Sequence, residues 1–519
     1  MVAGGGAVAV VPPHAAAVAH ISAAVTIRSM VHALIAATLL CGNGFELISA
    51  KLGRHLTPGA IVVRNRRLWK LVCTLLMRLR SIRRRRSALL AVGAVLVLIL
   101  AASAFIFGRG RPSVAAAEAR PPRLELTPQA AAGSYRDPVT VRGKAIGAKQ
   151  VTIGDRSVQP APDGSFELTL PHAPVDTTVV AINKAGDKAT NPLKVDVVLP
   201  RIRAVHVTAY GWAYEPMREA VLDMAREGRI DTIELDIKDE DGIVGYDSQV
   251  PLARESGAAS TIYDAGAALK QLHDMGLKVV GRIVAFRDPT LAGWAWHNGH
   301  PDWVIQNSGG QPYSSGYGAI AFTNFASPEI RSYKRDLAVE AARLGFDGVM
   351  YDYIRRPDGG LGGMQFPGLG ESPSDSIANF LREVRDPVHD AGASLSAAVF
   401  GIAATRPDEI AQDIPSMARY VDFLAPMLYP SHWHPGEYDV ANPNSQPYDI
   451  VFRSLQDFRA RTAGTNAQII PWLQDFSLGV AYGDAQVKAQ IDATHDAGYN
   501  GFFLWNPAVT YHPGGILPG

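Results

Sequence analysis

The sequence is poor in cysteine. Its two cysteines, Cys41 and Cys73, both precede the longest apolar run of the chain, at residues 87–108. Everything after that run is free of thiols and cannot form disulfide bonds. This pattern is compatible with an exported protein whose stability comes from its hydrophobic core.

A large net charge of one sign is also missing. The 50 Lys and Arg residues nearly balance the 49 Asp and Glu residues, which leaves a formal charge of +1. This balance gives no overall attraction to nucleic acid, and we predict no nucleic-acid partner. The basic residues are nevertheless segregated, because an arginine-rich segment stands immediately before the apolar run.

Several catalytic signatures are absent. The sequence has no Gly-x-Ser-x-Gly elbow for a serine nucleophile and no His-Glu-x-x-His pattern for a zinc site. His432 and His434 would project to opposite sides of an extended chain, so they make a poor metal pair. We therefore predict neither a metal nor a cofactor.

The apolar run at residues 87–108 contains no charged residue. About 20 apolar residues suffice to cross a bilayer as a helix, and basic residues mark its cytoplasmic side. We predict a single-pass signal anchor in the cell membrane, with the following domains outside. The alternative is secretion after signal-peptide cleavage near residues 102–104 or 115–117.

Composition further divides the chain. Residues 1–86 are expected to be a basic, disordered cytoplasmic segment or a mis-assigned start, because Met77 and the arginines after it resemble a natural N-terminus. A linker rich in Pro and Ala follows at residues 109–123. Short alternating runs separated by turn residues then predict a small antiparallel β-sandwich at residues 124–199.

This segment resembles bacterial immunoglobulin-like modules. The resemblance rests on an Asp-Gly-x-Phe hairpin at residues 163–166 and an Ala-x-Asn-x-x-Gly run at residues 181–186. The predicted strands are 139–143, 150–154, 165–170, 177–182 and 193–198. No catalytic group of residues is visible here, so we expect a spacer or a carbohydrate- or wall-binding role.

After Pro200 strands and helices alternate, which is typical of a parallel sheet with crossover helices. Eight strands are predicted, at residues 205–210, 232–237, 278–284, 348–353, 394–400, 421–429, 468–472 and 501–505. Eight such units predict an α/β fold, a (β/α)8 TIM barrel over residues 201–519. The alternative is an open doubly wound sheet, although no glycine-rich phosphate loop follows the first strand.

Asp352 is the first candidate for catalysis. It lies at the exit of the fourth predicted strand, where burying a carboxylate is costly unless it serves chemistry or pairs with a cation. Strand alternation places Ile354 on the same face as Asp352 and Tyr353 on the other. The alternative is a structural ion pair with Arg355 or Arg356.

The second predicted strand alternates apolar and ionisable residues. Glu234, Asp236 and Lys238 would therefore face the barrel axis, and Arg282 of the third strand would be a counter-ion for Asp236 or Asp352. These side chains either serve a substrate or form a buried network of paired charges. The acidic loop that follows, at residues 239–242, is predicted to be a solvated turn, and the alternative is that it binds a cation.

Five motifs in order resemble a family of bacterial glycoside hydrolase domains, formerly catalogued as a domain of unknown function. They lie at residues 236–242, 345–357, 426–433, 471–476 and 504–507. The resemblance covers residues 201–519 and implies a TIM barrel. Arg356 stands where the family has an aromatic residue in its Phe-Asp-Tyr-Ile-Arg-Phe-Pro motif. The matching signature positions are Asp236, Lys238, Asp352, Tyr353, Arg355, Tyr429, Trp472, Asp475 and Trp505.

Hydrolysis of a glycosidic bond normally needs two carboxylates. We expect Asp352 to act as acid or nucleophile, with Asp236 as the preferred partner and Asp475 as the second choice. By alternation Gln474, and not Asp475, shares the face of Trp472. Substrate contacts are expected from residues around the strand exits, namely Lys238, Arg282, Tyr353, Arg355, Tyr429, Trp433, Trp472 and Trp505.

The sequence thus predicts a hydrolase of glycosidic bonds in an extracellular or cell-wall polysaccharide. The alternative is a non-catalytic carbohydrate-binding or wall-associated scaffold on a degenerate barrel. Two carboxyl groups that face each other across a cleft would favour catalysis. An Asp352 held in a bidentate arginine pair would favour the scaffold.

Overall fold

The structure is a computed structural model that describes residues 120–174 and 177–519. Its first part consists of β1 (Arg123–Leu126), β2 (Val139–Ile146), β3 (Gln150–Ile153), β4 (Arg156–Val158), β5 (Ser165–Leu170), β6 (Thr177–Ile182) and β7 (Lys188–Leu193). Two antiparallel sheets, in the orders β1-β2-β5 and β4-β3-β6-β7, enclose one core. The two-sheet arrangement is present, and the immunoglobulin-like assignment stays a prediction.

One predicted strand of this module is wrong in position. The strand expected at residues 193–198 is β7, which ends at Leu193. The side-chain oxygen of Asn183 accepts hydrogen bonds from two backbone N–H groups of the preceding turn, and Gly186 adopts a φ of +94°. This tight turn returns the chain at once, so the strand begins at Lys188.

A closed barrel of parallel strands follows. It contains β8 (Arg203–Val207), β9 (Thr232–Lys238), β10 (Lys278–Val284), β11 (Gly348–Asp352), β12 (Ser394–Phe400), β13 (Phe423–Met427), β14 (Gln468–Ile469), β15 (Trp472–Gln474) and β16 (Phe502–Trp505). The pairing of β12 with β13 closes the ring, which excludes the open doubly wound sheet. β14 and β15 are two pieces of one strand, because Pro471 between them has no N–H to donate. The eight predicted barrel strands are confirmed.

Helices connect the strands around the outside. They are α1 (Ala209–Ala213), α2 (Glu215–Arg226), α3 (Pro251–Glu255), α4 (Ala265–Asp274), α5 (Pro289–His297), α6 (Pro328–Leu344), α7 (Pro373–Asp390), α8 (Ile414–Met417), α9 (Pro447–Arg461) and α10 (Asp484–Asp496). Helix α6 starts at Pro328 after the N-cap Ser327 and ends at Gly345, whose φ is +124°. This glycine turns the chain directly into β11.

The lower part of the barrel interior is filled by apolar side chains. Val280, Met350, Ala398, Phe423 and Phe503 come from five different strands and belong to one buried cluster. The barrel therefore has a packed interior rather than a pore. The ionisable side chains His206, Asp236, Arg282 and Asp352 lie towards the C-terminal ends of the strands, where the candidate site is found.

The sandwich contacts the N-terminal end of the barrel. The hydroxyl group of Tyr135 donates a 2.6 Å hydrogen bond to Asp422, which immediately precedes β13. The Tyr135 ring also stacks on His389, at a centroid distance of 3.8 Å. Arg136 donates to the carbonyl oxygen of Phe346, just before β11, at 2.8 Å. The sandwich thus lies at the barrel end opposite the exits of the strands.

In the part of the chain that the structure describes, no helix is both long and apolar enough to cross a membrane. The predicted anchor at residues 87–108 and the segments before it lie outside the described residues.

Candidate active site

Asp352 ends strand β11 inside the mouth of the barrel, and its side chain is 4% exposed. Its Oδ1 atom accepts a 2.6 Å hydrogen bond from the backbone N–H of Tyr353. Tyr353 has a φ of +47°, a left-handed conformation that costs a non-glycine residue about 1–2 kcal/mol. This turn ends the strand alternation. Ile354 consequently packs into the core outside the barrel, and its expected place on the face of Asp352 is wrong.

The guanidinium group of Arg282 is the centre of the site. Strand β10 places it inside the barrel, where its side chain is 1% exposed. Its Nε and Nη2 atoms donate hydrogen bonds to Oδ2 of Asp352 at 3.0 and 2.7 Å. Nη1 donates to Oδ1 of Asp236 at 2.9 Å, and Nη2 also donates to Oε1 of Glu240. One cation therefore binds three carboxylates.

Arg282 was an expected counter-ion of Asp352 and does pair with it. The alternative ion pair of Asp352 with Arg355 or Arg356 is wrong. Arg355 instead donates to Asp358 at 2.8 Å and to the hydroxyl group of Tyr317 at 3.0 Å. Arg356 donates to carbonyl oxygens of its own loop and of Asp408. Both arginines fix the loop after β11 rather than the carboxylate.

Glu240 reaches the site from a loop that the sequence interpretation assigned to solvent. Oδ1 of Asp239 accepts hydrogen bonds from two backbone N–H groups of this loop, at 3.1 and 2.9 Å. Gly242, with a φ of +89°, completes the tight turn. The Glu240 side chain points back to Arg282 and is 28% exposed. Two sequence features pointed to Glu240, its place inside the motif at residues 236–242 and the acidic character of the loop, which was open to binding a cation.

Asp352 and Glu240 lie close to each other because they share a hydrogen-bond donor. Oδ2 of Asp352 and Oε1 of Glu240 both accept from Nη2 of Arg282. Their separation cannot exceed two hydrogen-bond lengths, or about 6 Å. Retaining glycosidases hold their carboxyl groups about 5–5.5 Å apart, whereas inverting enzymes need about 6.5–9.5 Å. The two nearest oxygens of the pair thus lie within about 6 Å of each other, which is closer to the shorter of these spacings.

A second polar layer lies beneath Arg282. His206 on β8 places Nδ1 3.1 Å from Oε2 of Glu234 and Nε2 3.6 Å from Oδ2 of Asp236. All three side chains are at most 1% exposed. His206 was not among the predicted residues, although its place between Val205 and Val207 gives the alternation of an inward-facing position.

Burial of four carboxylates around one arginine shifts the pKa values of these acids. Burial raises the pKa of Glu234 well above its ordinary value and that of Asp236 to about 8, against the opposing charge of Arg282. Burial likewise raises the pKa of Asp352. For Glu240 burial acts in the same direction, but the charge and hydrogen bond of Arg282 outweigh it and lower the pKa.

His206 does not supply the missing positive charge. Burial, followed by the charge of Arg282, holds the pKa of His206 well below its ordinary value. The ring is therefore neutral at pH 7. Burial thus favours the protonated form of Asp352, and the charge of Arg282 favours the ionised form of Glu240.

A cavity of about 420 Å³ opens above these groups and is lined by Glu240, Arg282 and Asp352. Aromatic side chains make up much of the remaining wall, namely Tyr317, Tyr353, Phe400, Tyr429, Trp433, Trp472 and Trp505. Flat aromatic rings suit the C–H faces of sugars, and the carboxylates suit their hydroxyl groups. The arrangement can bind a sugar ring beside two acids of opposite protonation preference.

Residues 204–511, more than half of the chain, match the family model described as "Putative glycosyl hydrolase domain". The chain belongs to this family. No curated protein matches the sequence.

Several solved structures are similar to parts of this chain. A hypothetical protein from Ruminiclostridium thermocellum is 30% identical, with 37% of this chain and 96% of that chain covered and a TM-score of 0.34. The PgaB (BpsB) glycoside hydrolase domain from Bordetella bronchiseptica is 14% identical, with 60% and 95% covered and a TM-score of 0.46. An α-galactosidase from Thermus thermophilus is 14% identical, with 76% and 89% covered and a TM-score of 0.38.

Four predicted site residues of the glycosyl hydrolase domain do not line the cavity. Asp236 lies under Arg282, and Arg355 supports the wall from behind. Asp475 is fully buried and accepts hydrogen bonds from His512, at 2.9 Å from its backbone N–H and 2.5 Å from Nδ1. The chain does not turn Asp475 towards the cavity, because Asn506 donates to its carbonyl oxygen and the backbone N–H of Asp475 donates to Trp505.

Lys238 is the fourth of these residues. Its Nζ atom lies 3.1 Å from Asp288 and donates to the carbonyl oxygen of Val284 at 2.9 Å. The register between β9 and β10 shifts at Arg282 and Ile283, so Lys238 does not share the orientation of Asp236. Among residues 120–174 and 177–519, no group of three or more His, Cys, Asp or Glu side chains is arranged to hold a metal ion.

Proposed function

We propose that this protein is a retaining glycoside hydrolase in which Asp352 is the acid and base and Glu240 is the nucleophile. The supporting observation is that the two carboxylates line one cavity and share Nη2 of Arg282. The opposite directions of their pKa shifts support the assignment of roles. Glu240 replaces Asp236 and Asp475 as the partner of Asp352, because neither of those lines the cavity.

The reaction proceeds in two steps. The ionised Glu240 attacks the anomeric carbon, and the bond to the glycosidic oxygen breaks as that oxygen takes the proton of Asp352. The products are a free sugar hydroxyl group and a glycosyl ester on Glu240. A water molecule then gives a proton to Asp352 and attacks the anomeric carbon, which releases the second sugar and restores both carboxyl groups.

Arg282 keeps the two roles apart. Its bond to Glu240 stabilises the anion that must attack, while Asp236 below competes for the same guanidinium group. Four acids around one arginine cannot all ionise without a large electrostatic cost, so some of them retain protons at neutral pH. Of the two acids that bind Arg282 and line the cavity, Asp352 is the one whose pKa is raised, and we assign the catalytic proton to it.

The charges of the cavity wall favour an uncharged sugar polymer. Glu240, Asp352 and Asp358 line the cavity, whereas Arg282 is its one lining cation in the described structure and is already paired with acids. Uronic acids and sulfated sugars would add negative charge beside these groups. The aromatic wall supplies stacking surfaces for neutral rings.

The competing function is a non-catalytic carbohydrate-binding or wall-associated scaffold. The two hydrogen bonds from Arg282 to Asp352 favour it, because they hold the carboxylate in an ion pair. Both bonds, however, end on Oδ2 alone, and Oδ1 accepts only the single N–H of Tyr353. One oxygen of Asp352 therefore keeps a lone pair for a proton.

We further propose that the protein acts at the cell surface, on an extracellular or cell-wall polysaccharide. The support is the uncharged run at residues 87–108, which follows an arginine-rich segment. Secretion after signal cleavage is the alternative. The two-sheet module, proposed to be immunoglobulin-like, would then serve as a spacer before the barrel.

The test is a screen of the full chain against neutral polysaccharides with detection of newly formed reducing ends. Asp352→Asn and Glu240→Gln should each lower kcat by about 10³-fold or more while leaving the fold intact. Azide should restore turnover to a Glu240→Ala variant and yield a glycosyl azide, because a small anion can occupy the space of a missing nucleophile. Asp475→Asn is the matched control and should keep the two-carboxylate chemistry.

The outcomes separate the two functions. Loss of turnover in the Asp352 and Glu240 variants, with polysaccharide binding retained, supports the hydrolase. Binding without any release of reducing ends by the unmodified protein supports the scaffold. Full activity of Glu240→Gln would refute the nucleophile assignment.

A further inference from the structure

Two tyrosines stand apart from the other aromatic residues that the structure describes. Tyr210 and Tyr214 are 63% and 57% exposed, whereas every other described Phe, Tyr and Trp is buried or half-buried. Neither ring has an aromatic or cation–π contact within the described residues. Neighbouring aromatic rings that are exposed to solvent often mark a surface that binds a ligand.

The backbone that carries these rings is held firmly. Oγ1 of Thr208 accepts a 2.9 Å hydrogen bond from the N–H of Gly211 and caps α1. Gly211 packs so closely on Val509 that a Cβ atom there would lie 2.9 Å from its Cγ2. Trp212 is 4% exposed and anchors the turn from below. The tyrosines therefore lose little backbone freedom when they bind a ligand.

The two rings lie one helical turn apart. The N–H of Tyr214 donates to the carbonyl oxygen of Tyr210 at 3.0 Å, the bond of a single α-helical turn. Residues at this spacing lie on one face with Cβ atoms about 5–6 Å apart. The pair can contact neighbouring sugar rings of one chain.

This turn belongs to the same barrel end as the cavity. It begins directly after β8, and β8 pairs with β9 on one side and with β16 on the other. The loop after β9 carries Glu240, and β16 ends at Trp505, so both neighbours contribute to the cavity wall. The turn α1 is therefore next to two parts of the cavity wall at the same barrel end.

We infer that Tyr210 and Tyr214 form a surface subsite that stacks on the sugar rings of a neutral polysaccharide beyond the cavity. This inference rests on the proposed function for the chemical class of the ligand. It adds that the substrate is a long chain rather than a short oligosaccharide. The rings contribute to affinity for the polymer and take no part in bond cleavage.

The first experiment compares long and short substrates in the full chain. Replacing both tyrosines by Ala should raise KM for a soluble polysaccharide about tenfold and leave kcat unchanged. The same variant should cleave a short aryl glycoside as the unmodified protein does. Replacing both by Phe should keep polymer affinity, because the ring face is retained. Leu344→Ala, at an exposed site near the opposite barrel end, should change neither value.

A binding measurement makes the test independent of turnover. Affinity electrophoresis of the Asp352→Asn full chain in gels containing hydroxyethyl cellulose, glucomannan, glycol chitin or pullulan should show retardation in at least one gel. The added Tyr210→Ala and Tyr214→Ala changes should remove most of that retardation. Tyrosine-dependent retardation without turnover in the unmodified protein would keep this subsite and refute the hydrolase.

Two results would overturn the subsite. One is equal retardation of the Ala and Tyr forms in every gel that retards the protein, or no retardation in any gel. The other is protection of Tyr210 and Tyr214 from nitration in the full chain without polysaccharide, because a second copy or another segment of the chain would then cover them.

Discussion

Nη2 of Arg282 donates a 2.7 Å hydrogen bond to Oδ2 of Asp352, in a place where neither side chain is more than 4% exposed. A buried ion of this kind is stabilising only while its partners stay in place. Arginine also presents several N–H groups in a fixed plane, which lets it reach Asp236 and Glu240 at the same time. Lysine carries the same charge but cannot reproduce this geometry.

We therefore expect Arg282→Lys to lower the free energy of unfolding by about 3 kcal/mol, the typical cost of breaking a buried ion pair. Turnover should fall at least 100-fold, because Glu240 loses the donor that keeps it ionised. Urea denaturation and reducing-end assays measure the two effects. Lys270→Arg, in an exposed pair with Asp274, is the control. Turnover of Arg282→Lys within twofold of the unmodified protein would contradict the role of Arg282.

The pH dependence of kcat/KM follows from the carboxylate pair. Activity requires an ionised Glu240, whose lowered pKa gives the acidic limb, and a protonated Asp352, whose raised pKa gives the alkaline limb. The profile should be bell-shaped, with activity lost as the pH falls through the first value and as it rises through the second. The apparent values belong to the pair as a whole. A profile with no alkaline limb would argue against Asp352 as the acid.

Stability should also depend on pH through Asp236. Its pKa is about 8 in the folded protein and near 4 in the unfolded chain, so between these values the folded state holds a proton that the unfolded state releases. This group therefore makes the protein less stable as the pH rises from about 4 to about 8, by up to about 1.4 kcal/mol per pH unit.

Asp236→Asn should flatten that slope. Urea denaturation at several pH values between 5 and 8 measures it, and Asp274→Asn, at an exposed surface pair, provides the control. The slope should not vanish, because Glu234 is shifted in the same direction. An unchanged slope in Asp236→Asn would mean that Asp236 is ionised in the folded protein.

The joint between sandwich and barrel gives a prediction that is independent of function. Tyr135→Phe removes the 2.6 Å hydrogen bond to Asp422 and should cost about 1.5–3 kcal/mol, as for other bonds to a charged acceptor. Urea denaturation of the full chain tests this. Tyr499→Phe removes a hydroxyl group that makes no hydrogen bond in the described structure, so its effect should be near zero. Equal effects of the two changes would mean that the Tyr135 bond is not formed in solution.

Charge in the cavity should select against anionic polymers. A carboxymethylated form of any neutral polysaccharide that the protein cleaves should have a kcat/KM at least tenfold lower, because it places carboxylates beside Glu240, Asp352 and Asp358. Added salt should reduce this difference by screening the exposed part of the repulsion. Equal kcat/KM values for the two polymers at low salt would contradict the proposed selection against anionic substrates.

The barrel was predictable from the sequence because each strand is a short apolar run and amphipathic helices separate these runs. Asp352 and Arg282 were also predictable, since both lie within regular strands whose alternation fixes the direction of their side chains. Asp475 and Lys238 were assigned to the site incorrectly. Their positions in the sequence do not show the hydrogen bonds from His512 to Asp475 or the register shift beside Arg282 that turns Lys238 away.

Glu240 could not be placed from the sequence in the same way. Its orientation depends on a loop in which Asp239 binds backbone N–H groups and Gly242 adopts a positive φ. Loops of this kind carry no periodic pattern. The left-handed backbone of Tyr353 was equally hidden in the sequence. It ends the strand alternation, which the sequence predicted to continue to Ile354.

The position of the sandwich has a consequence for access. Because Tyr135 and Arg136 dock beneath the barrel, the sandwich cannot form a roof or a side wall over the opening. Within the described part of the chain, only loops of the barrel itself surround that opening. For the proposed polysaccharide substrate, this leaves the sandwich out of the path by which a chain reaches the opening, and cleavage at interior linkages is the expected mode under that proposal.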